Sequence, residues 1–397
     1  MRGTMSQILK NSLIAMSLAA VVLAVGAAPG SAAPKKEKLS VLYSFVGDSG
    51  SGASPFAGLI EDAAGNFYGT TTAGGAIGVG TAFKLAPDGS ETVLHSFSDG
   101  SDGGIPFAGL VEDAQGNLYG TTYSGGDPRC NCGVVFEIDA AGNESVLHTF
   151  EGGDDGATPY DGLILDKHGN LYGTTTEGGG ACNCGMAFKL SPKGKLSVLH
   201  AFTGGSDGSF PYAGLVMDKH GNLYGASYQG GGACNCGAIF KIDSAGDESV
   251  LYVFTGNDSD GAYPQASLIM DKKGNLYGTT KFGGTSNGGT VFMLAPDNTE
   301  TILHSFSGGA DGAVVYAGLV ADKKGNLYGT TLVGGGADAG TVFKVAPGGG
   351  ETVLYSFLDG NDGATPYGGV ILDDKDNLYG TTSEGGVNGF GTVFEIR

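Results

Sequence analysis

Gly116-Asn117-Leu118-Tyr119-Gly120 is one of seven copies of a single phrase. The same five residues begin again at Gly169, Gly221, Gly274 and Gly325, and variants run from Gly65 to Gly69 and from Asp376 to Gly380. Successive copies lie 51, 53, 52, 53, 51 and 51 residues apart. That period is too regular for coincidence and too short for seven independent cores, so each unit must bury its faces against its neighbours.

Around the phrase, each repeat reads as four short alternating runs. In the second repeat they are 109–113, 117–122, 134–138 and 145–150, designated strands a, b, c and d. The a–b link has the form D-x-x-G-N, in which glycine accepts the left-handed conformation of a tight hairpin; Asp376 is one of the few residue types that can stand in for it. Turns such as Pro87-Asp88-Gly89 join c to d. No helical periodicity follows the N-terminal segment. The repeats open at 39–45 with a d strand that lacks its own a, b and c, and they finish at 391–396 with a c strand that lacks its d. These halves complete each other only in a ring, where closure removes the sheet edges. The expectation is an all-β, seven-bladed β-propeller over residues 34–397, its last blade closed by the N-terminal d strand.

The composition agrees. Glycine supplies 76 of 397 residues, against a usual share of about 7%. With 41% hydrophobic residues, 20 Phe and 17 Tyr, a packed, turn-rich β protein fits better than a disordered chain. The net charge of −20 repels phosphate backbones and anionic lipid surfaces, so nucleic acid is excluded as a partner. Residues 1–33 carry Arg2 and Lys10, no acid, then an apolar run and the small residues Gly30 to Ala33. They read as a secretory signal peptide cut near Ala32, with no stable membrane insertion afterwards and a secreted, periplasmic or cell-surface destination.

The longer pattern FxGGxDGxxPYAGLxxDxxGNLYGTTxxGGxxxxGTVFKLxP, nearly intact between Phe202 and Pro347, resembles the GloVer tandem repeat of bacterial "choice-of-anchor" exported proteins. The resemblance implies an exported repeat protein, usually with a C-terminal surface anchor, and no catalytic residues to carry over. The sequence given stops at Arg397 without such a tail.

In a four-stranded meander the b–c loops and d–a connections share one end. The d–a connections are rich in Asp, including Asp102, Asp155, Asp207, Asp258, Asp260, Asp311 and Asp362, whereas the only cations read at this end are Arg129 and Lys281. Asp before Gly is turn chemistry; the alternative is calcium held by oxygen ligands, with Asp258 and Asp260 the candidates. Strand a opens on an aromatic in six repeats, Phe56, Phe107, Tyr160, Tyr212, Tyr316 and Tyr367, and on Gln265 in the other. With strand a innermost, these side chains circle the channel mouth, where rings beside Asp161 and Gln265 suit sugars. The alternative is that the rings merely wedge between blades.

All six cysteines lie in three Cys-Asn-Cys motifs, Cys130/Cys132, Cys182/Cys184 and Cys234/Cys236, in the b–c loops of consecutive repeats. In an exported chain they read as disulfides, pairing within each motif being simplest; redox chemistry and soft-metal binding are the alternatives. His95, His148, His200 and His304 share one position of strand d with Tyr43, Tyr252 and Tyr355, a packing site with a polar tip. No histidine is thus expected near the acidic mouth. The reading that follows is a non-catalytic binding propeller for a carbohydrate or protein. A hydrolase or lyase at the channel mouth using Asp161, and a structural envelope component, are the alternatives.

Overall fold

The computed structural model describes residues 38–397; the signal-peptide expectation for residues 1–33 lies outside them. The described residues form seven four-stranded antiparallel sheets and two two-stranded ones, Gly52–Ala53 with Ala73–Gly74 and Gly261–Ala262 with Phe282–Gly283. The first blade consists of Ile60–Glu61, Phe67–Thr71, Thr81–Leu85 and Glu91–Ser96. The seventh takes Ile371–Leu372, Leu378–Thr382 and Thr392–Ile396 from the end of the chain and Leu39–Ser44 from its start. Leu39 pairs with Ile396 and Ser44 with Thr392, as the split repeats require. No α-helix occurs among the described residues; a single 3-10 turn spans Gly153–Asp155.

Strand a is shorter than its sequence suggests. Only Val111–Glu112 pairs with strand b in the second blade, and Phe107, Gly109 and Leu110 line the channel instead. The repeated phrase fixes the rest of the hairpin. Its last glycine sits on strand b beneath the strand-c phenylalanine; a Cβ on Gly120 would come within 2.6 Å of Phe136. Its first glycine has positive φ in the a–b turn, and Asp376 replaces it at φ 64°. The Asn and Tyr of the phrase complete the turn. Asp113 accepts from the backbone N–H groups of Gln115 and Asn117, from Asn117 Nδ2 at 2.9 Å and from Tyr119 Oη at 3.0 Å.

The blades are joined by aromatic packing. The phenylalanine just after each strand d meets the strand-c phenylalanine of the next blade edge-on. Phe97 lies 5.0 Å from Phe136 and Phe357 5.3 Å from Phe394, and Phe45 closes the ring 5.1 Å from Phe83. Threonines add a second link. The sequence presents pairs such as Thr70-Thr71 as simple β-formers, but Thr70 Oγ1 donates to the Ala108 carbonyl of the next blade at 2.7 Å, and Thr381 Oγ1 to Ala57 at 2.9 Å.

Candidate functional site

Each strand a is approached through a residue in the left-handed region. Ser54, Ile105, Thr158, Phe210, Tyr263, Val314 and Thr365 have φ between 50° and 60°, a costly conformation for bulky and β-branched side chains. All seven are held alike: the N–H donates to a b–c loop of the preceding blade, as from Ile105 to Val79 O at 2.8 Å and from Thr158 to Cys132 O at 2.8 Å. Two residues later comes the aromatic position. The strained clasp therefore fixes how each ring enters the channel, a feature written in the recurrent x-Pro-aromatic triplet.

The rings meet one another. Phe56 stacks on Tyr367 at 4.2 Å, Phe107 on Tyr160 at 4.8 Å, and Tyr160 meets Tyr212 edge-on at 5.0 Å. Tyr316 lies 5.1 Å from Tyr367. The arc breaks at Gln265. All eight residues singled out by sequence, Phe56, Phe107, Tyr160, Asp161, Tyr212, Gln265, Tyr316 and Tyr367, line one cavity of about 310 Å³ in the channel, with glycine backbones between them. Burial, followed by the neighbouring tyrosine hydroxyls, raises the Tyr160 phenol above its usual range. Four of the rings thus stack in two pairs, Phe56 on Tyr367 and Phe107 on Tyr160, which leaves ring edges, hydroxyls and the gap prominent among the groups open to a ligand.

Polar groups concentrate at that gap. Asp161 Oδ2 accepts from Gly214 N and Ser267 Oγ, both at 2.7 Å, and its Oδ1 accepts from Gly162 N at 2.7 Å. A carboxylate held by three donors ties blades three, four and five together. At the junction of blades two and three, Thr121 Oγ1, the counterpart of Thr70 Oγ1, is buried without a partner among the described residues. Gln265 Oε1 is likewise buried and without a partner among the described residues. Lys281 Nζ lies 4.7 Å from the Tyr316 ring centroid and 5.2 Å from that of Phe282. Burial opposes its charge, but Tyr316 and Tyr228 outweigh that and raise its pKa, so it remains an ammonium. Ser267 and the cation–π role of Lys281 escape the sequence reading. Ser267 could be found by aligning repeats, since the other six carry glycine there.

The strand-d histidines pack edge-on against the phenylalanines that follow them, as His95 does on Phe97 at 4.7 Å, and their polar tips have specific partners. They do not stand apart from the acidic connections: His95 Nε2 lies 3.1 Å from Asp102, His148 3.1 Å from Asp155 and His200 3.2 Å from Asp207, and Tyr355 Oη donates to Asp362 at 2.9 Å. The same aspartates accept backbone N–H groups, as Asp102 does from Ser98. The seven-residue spacing from His to Asp folds each loop back onto its own strand. Among the described residues no histidine lines the cavity. Of the calcium candidates, Asp258 is exposed, while Asp260 accepts from Thr255 N at 2.6 Å, Thr255 Oγ1 at 2.7 Å and Gly261 N at 2.7 Å. No group of three or more His, Cys, Asp or Glu side chains gathers as a metal site among the described residues. Each Cys-Asn-Cys motif is bonded within itself, Cys130 to Cys132, Cys182 to Cys184 and Cys234 to Cys236.

Among solved structures, the chain is similar to a streptogramin B lyase, with 13% identity, a TM-score of 0.61 and coverage of 91% of this chain and 97% of that one. It is also similar to the extracellular domain of a one-component system from B. thetaiotaomicron, at 10% identity, TM-score 0.54 and coverage of 86% and 38%. A puromycin hydrolase matches at 12% identity, TM-score 0.51 and coverage of 84% and 50%. At these identities the likeness is one of fold, shared by proteins of different function. No curated protein matches the sequence. Residues 31–183, 130–335 and 296–397 match the model of the Gloeobacter/Verrucomicrobia repeat.

Proposed function

The chain belongs to the Gloeobacter/Verrucomicrobia repeat family, and from that premise we propose that it is an exported, non-catalytic binding propeller whose channel mouth takes a small carbohydrate or the sugar-like end of a larger ligand. The observation that carries this reading is the break in the aromatic arc, where Gln265 Oε1 is buried without a partner among the described residues. With the Gln265 side chain turned toward the cavity it lines, a ligand hydroxyl donating to that oxygen would satisfy it, with the hydroxyls and edges of the tyrosine rings alongside. A cavity of about 310 Å³ is at the small end of ligand sites. Binding is favoured over catalysis because Asp161 is already engaged by three donors and no histidine adjoins the cavity among the described residues.

The test is binding of the purified protein to a glycan array, with calcium and with a chelator. Selective binding that falls at least tenfold in Gln265→Ala, with unchanged thermal unfolding, supports the reading. Loss of that binding in chelator would bring calcium and the Asp258–Asp260 connection into it. Absence of selective binding in either condition rejects a carbohydrate ligand and leaves a protein partner, sought by crosslinking at the same mouth.

A further inference from the structure

We propose that the three Cys-Asn-Cys loops are thiol–disulfide exchange centres acting on dithiol segments of other proteins, a second activity separate from the channel mouth. The loops do not need their sulfurs for shape. In each, the central Asn has positive φ, 57°, 55° and 59°, and its Oδ1 accepts from a glycine N–H: Gly125, Gly178 and Gly230, at 2.6 to 2.7 Å. Blades five and six build the same turn without cysteine. Asn287, φ 56°, accepts from Gly283 N at 2.9 Å, and Asp338, φ 59°, from Gly334 N at 2.8 Å. The outgoing clasp is also unchanged, since Val314 N donates to Gly288 O at 2.8 Å as Thr158 N does to Cys132 O. A crosslink between residues two apart removes little entropy from the unfolded chain. Stability therefore gives a weak reason for six cysteines in three adjacent loops.

Their exposure gives a better one. In every pair the first cysteine, Cys130, Cys182 or Cys234, is exposed, while the second, Cys132, Cys184 or Cys236, is buried at 3 to 4%. The first residue of each pair is thus the more accessible to an incoming thiolate, and the second is sheltered as its resolving partner. The chain starts oxidised, with no free cysteine among the described residues. A substrate thiolate attacks the exposed sulfur; the Cys–Cys bond breaks and its electron pair leaves on the buried sulfur, which takes a proton. The substrate's second thiolate then attacks the substrate sulfur of the mixed disulfide and expels the exposed cysteine, which takes the second proton. The substrate dithiol loses two electrons and two protons and becomes a disulfide, and the motif becomes two thiols. Three such motifs on consecutive blades give the protein up to three equivalents.

The test uses the purified protein and a synthetic peptide bearing two cysteines, with thiols counted by mass spectrometry. The oxidised protein is expected to convert up to three equivalents of peptide to its disulfide at neutral pH while keeping its thermal unfolding midpoint. Oxidised glutathione, offered to variants, is expected to form a mixed disulfide with Cys130 in Cys132→Ser, its own S–S bond breaking to release one glutathione thiol, and to leave Cys132 unmodified in Cys130→Ser. Three outcomes overturn the proposal: no exchange by the native wild-type protein, a marked fall in its unfolding midpoint on reduction, or reduced pairs that take up Zn²⁺ and resist reoxidation by oxidised glutathione.

Discussion

Gly329 shows how narrowly one position is constrained. A Cβ there would approach Phe343 to 2.7 Å and Leu319 to 3.0 Å. Gly329→Ala is therefore expected to cost about 1–3 kcal/mol by overpacking, measured by urea unfolding. Gly348, with open space around its Cβ position, is the control, and Gly348→Ala should stay within about 0.5 kcal/mol. The repeated glycine is conspicuous in the sequence, but its reason is a ring from the adjacent strand, which only the strand pairing reveals. Gln265 illustrates the reverse. Its departure from the aromatic series can be read directly, whereas the absence of a partner for its oxygen depends on how six other side chains pack.

At the scale of the element, two sets of carboxylates respond oppositely to pH. The a–b turn aspartates, such as Asp113 and Asp322, would be raised by burial, but hydrogen bonds from Asn, backbone and Tyr outweigh this and lower their pKa. A depressed folded-state value means stability fully present above the unfolded value, about 3.9, and lost as pH falls through the folded one. Acid unfolding should thus begin below about pH 4, and Asp113→Asn together with Asp322→Asn should weaken that dependence in a pH series of thermal melts. Strand d begins with the opposite case. Glu300 and Glu351 are pushed up to about 7 by burial, then by Asp260 and Asp311 of the preceding blade's connection. Here the raised folded-state value means stability present below about pH 4.3 and lost as pH climbs through 7. Glu300→Gln should accordingly raise the unfolding midpoint relative to the wild type at pH 8 and change it little at pH 5. The D-x-x-G-N turn was legible from residue types alone. The His–Asp contacts were not, because the connection must fold back on its strand before residues seven apart can touch.

For the whole molecule, the decisive joint is the seventh blade, where the two ends of the described chain meet. Phe45 is fully buried against Phe83 of the first blade and belongs to the cluster that also holds Val393 of the seventh. Phe45→Ala is expected to cost about 3–5 kcal/mol. Deleting residues 39–45 should do more, exposing the edge of Thr392–Ile396 and producing self-association visible by size-exclusion chromatography. The repeat period, the four-strand pattern and the split seventh unit were determined by sequence alone, because each rests on short-range chemistry: alternation of apolar residues, and turns that demand glycine or aspartate. The ring of eight candidate side chains was also nameable in advance from strand a being innermost. What only tertiary structure decided is what those side chains do once assembled. Four aromatic rings stack in two pairs, Asp161 is locked by donors from three blades, and one carboxamide oxygen is left unsatisfied. Such outcomes depend on distances between residues more than 50 positions apart, and a repeating sequence specifies that each blade abuts the next without specifying which polar atom lacks a partner when the ring closes.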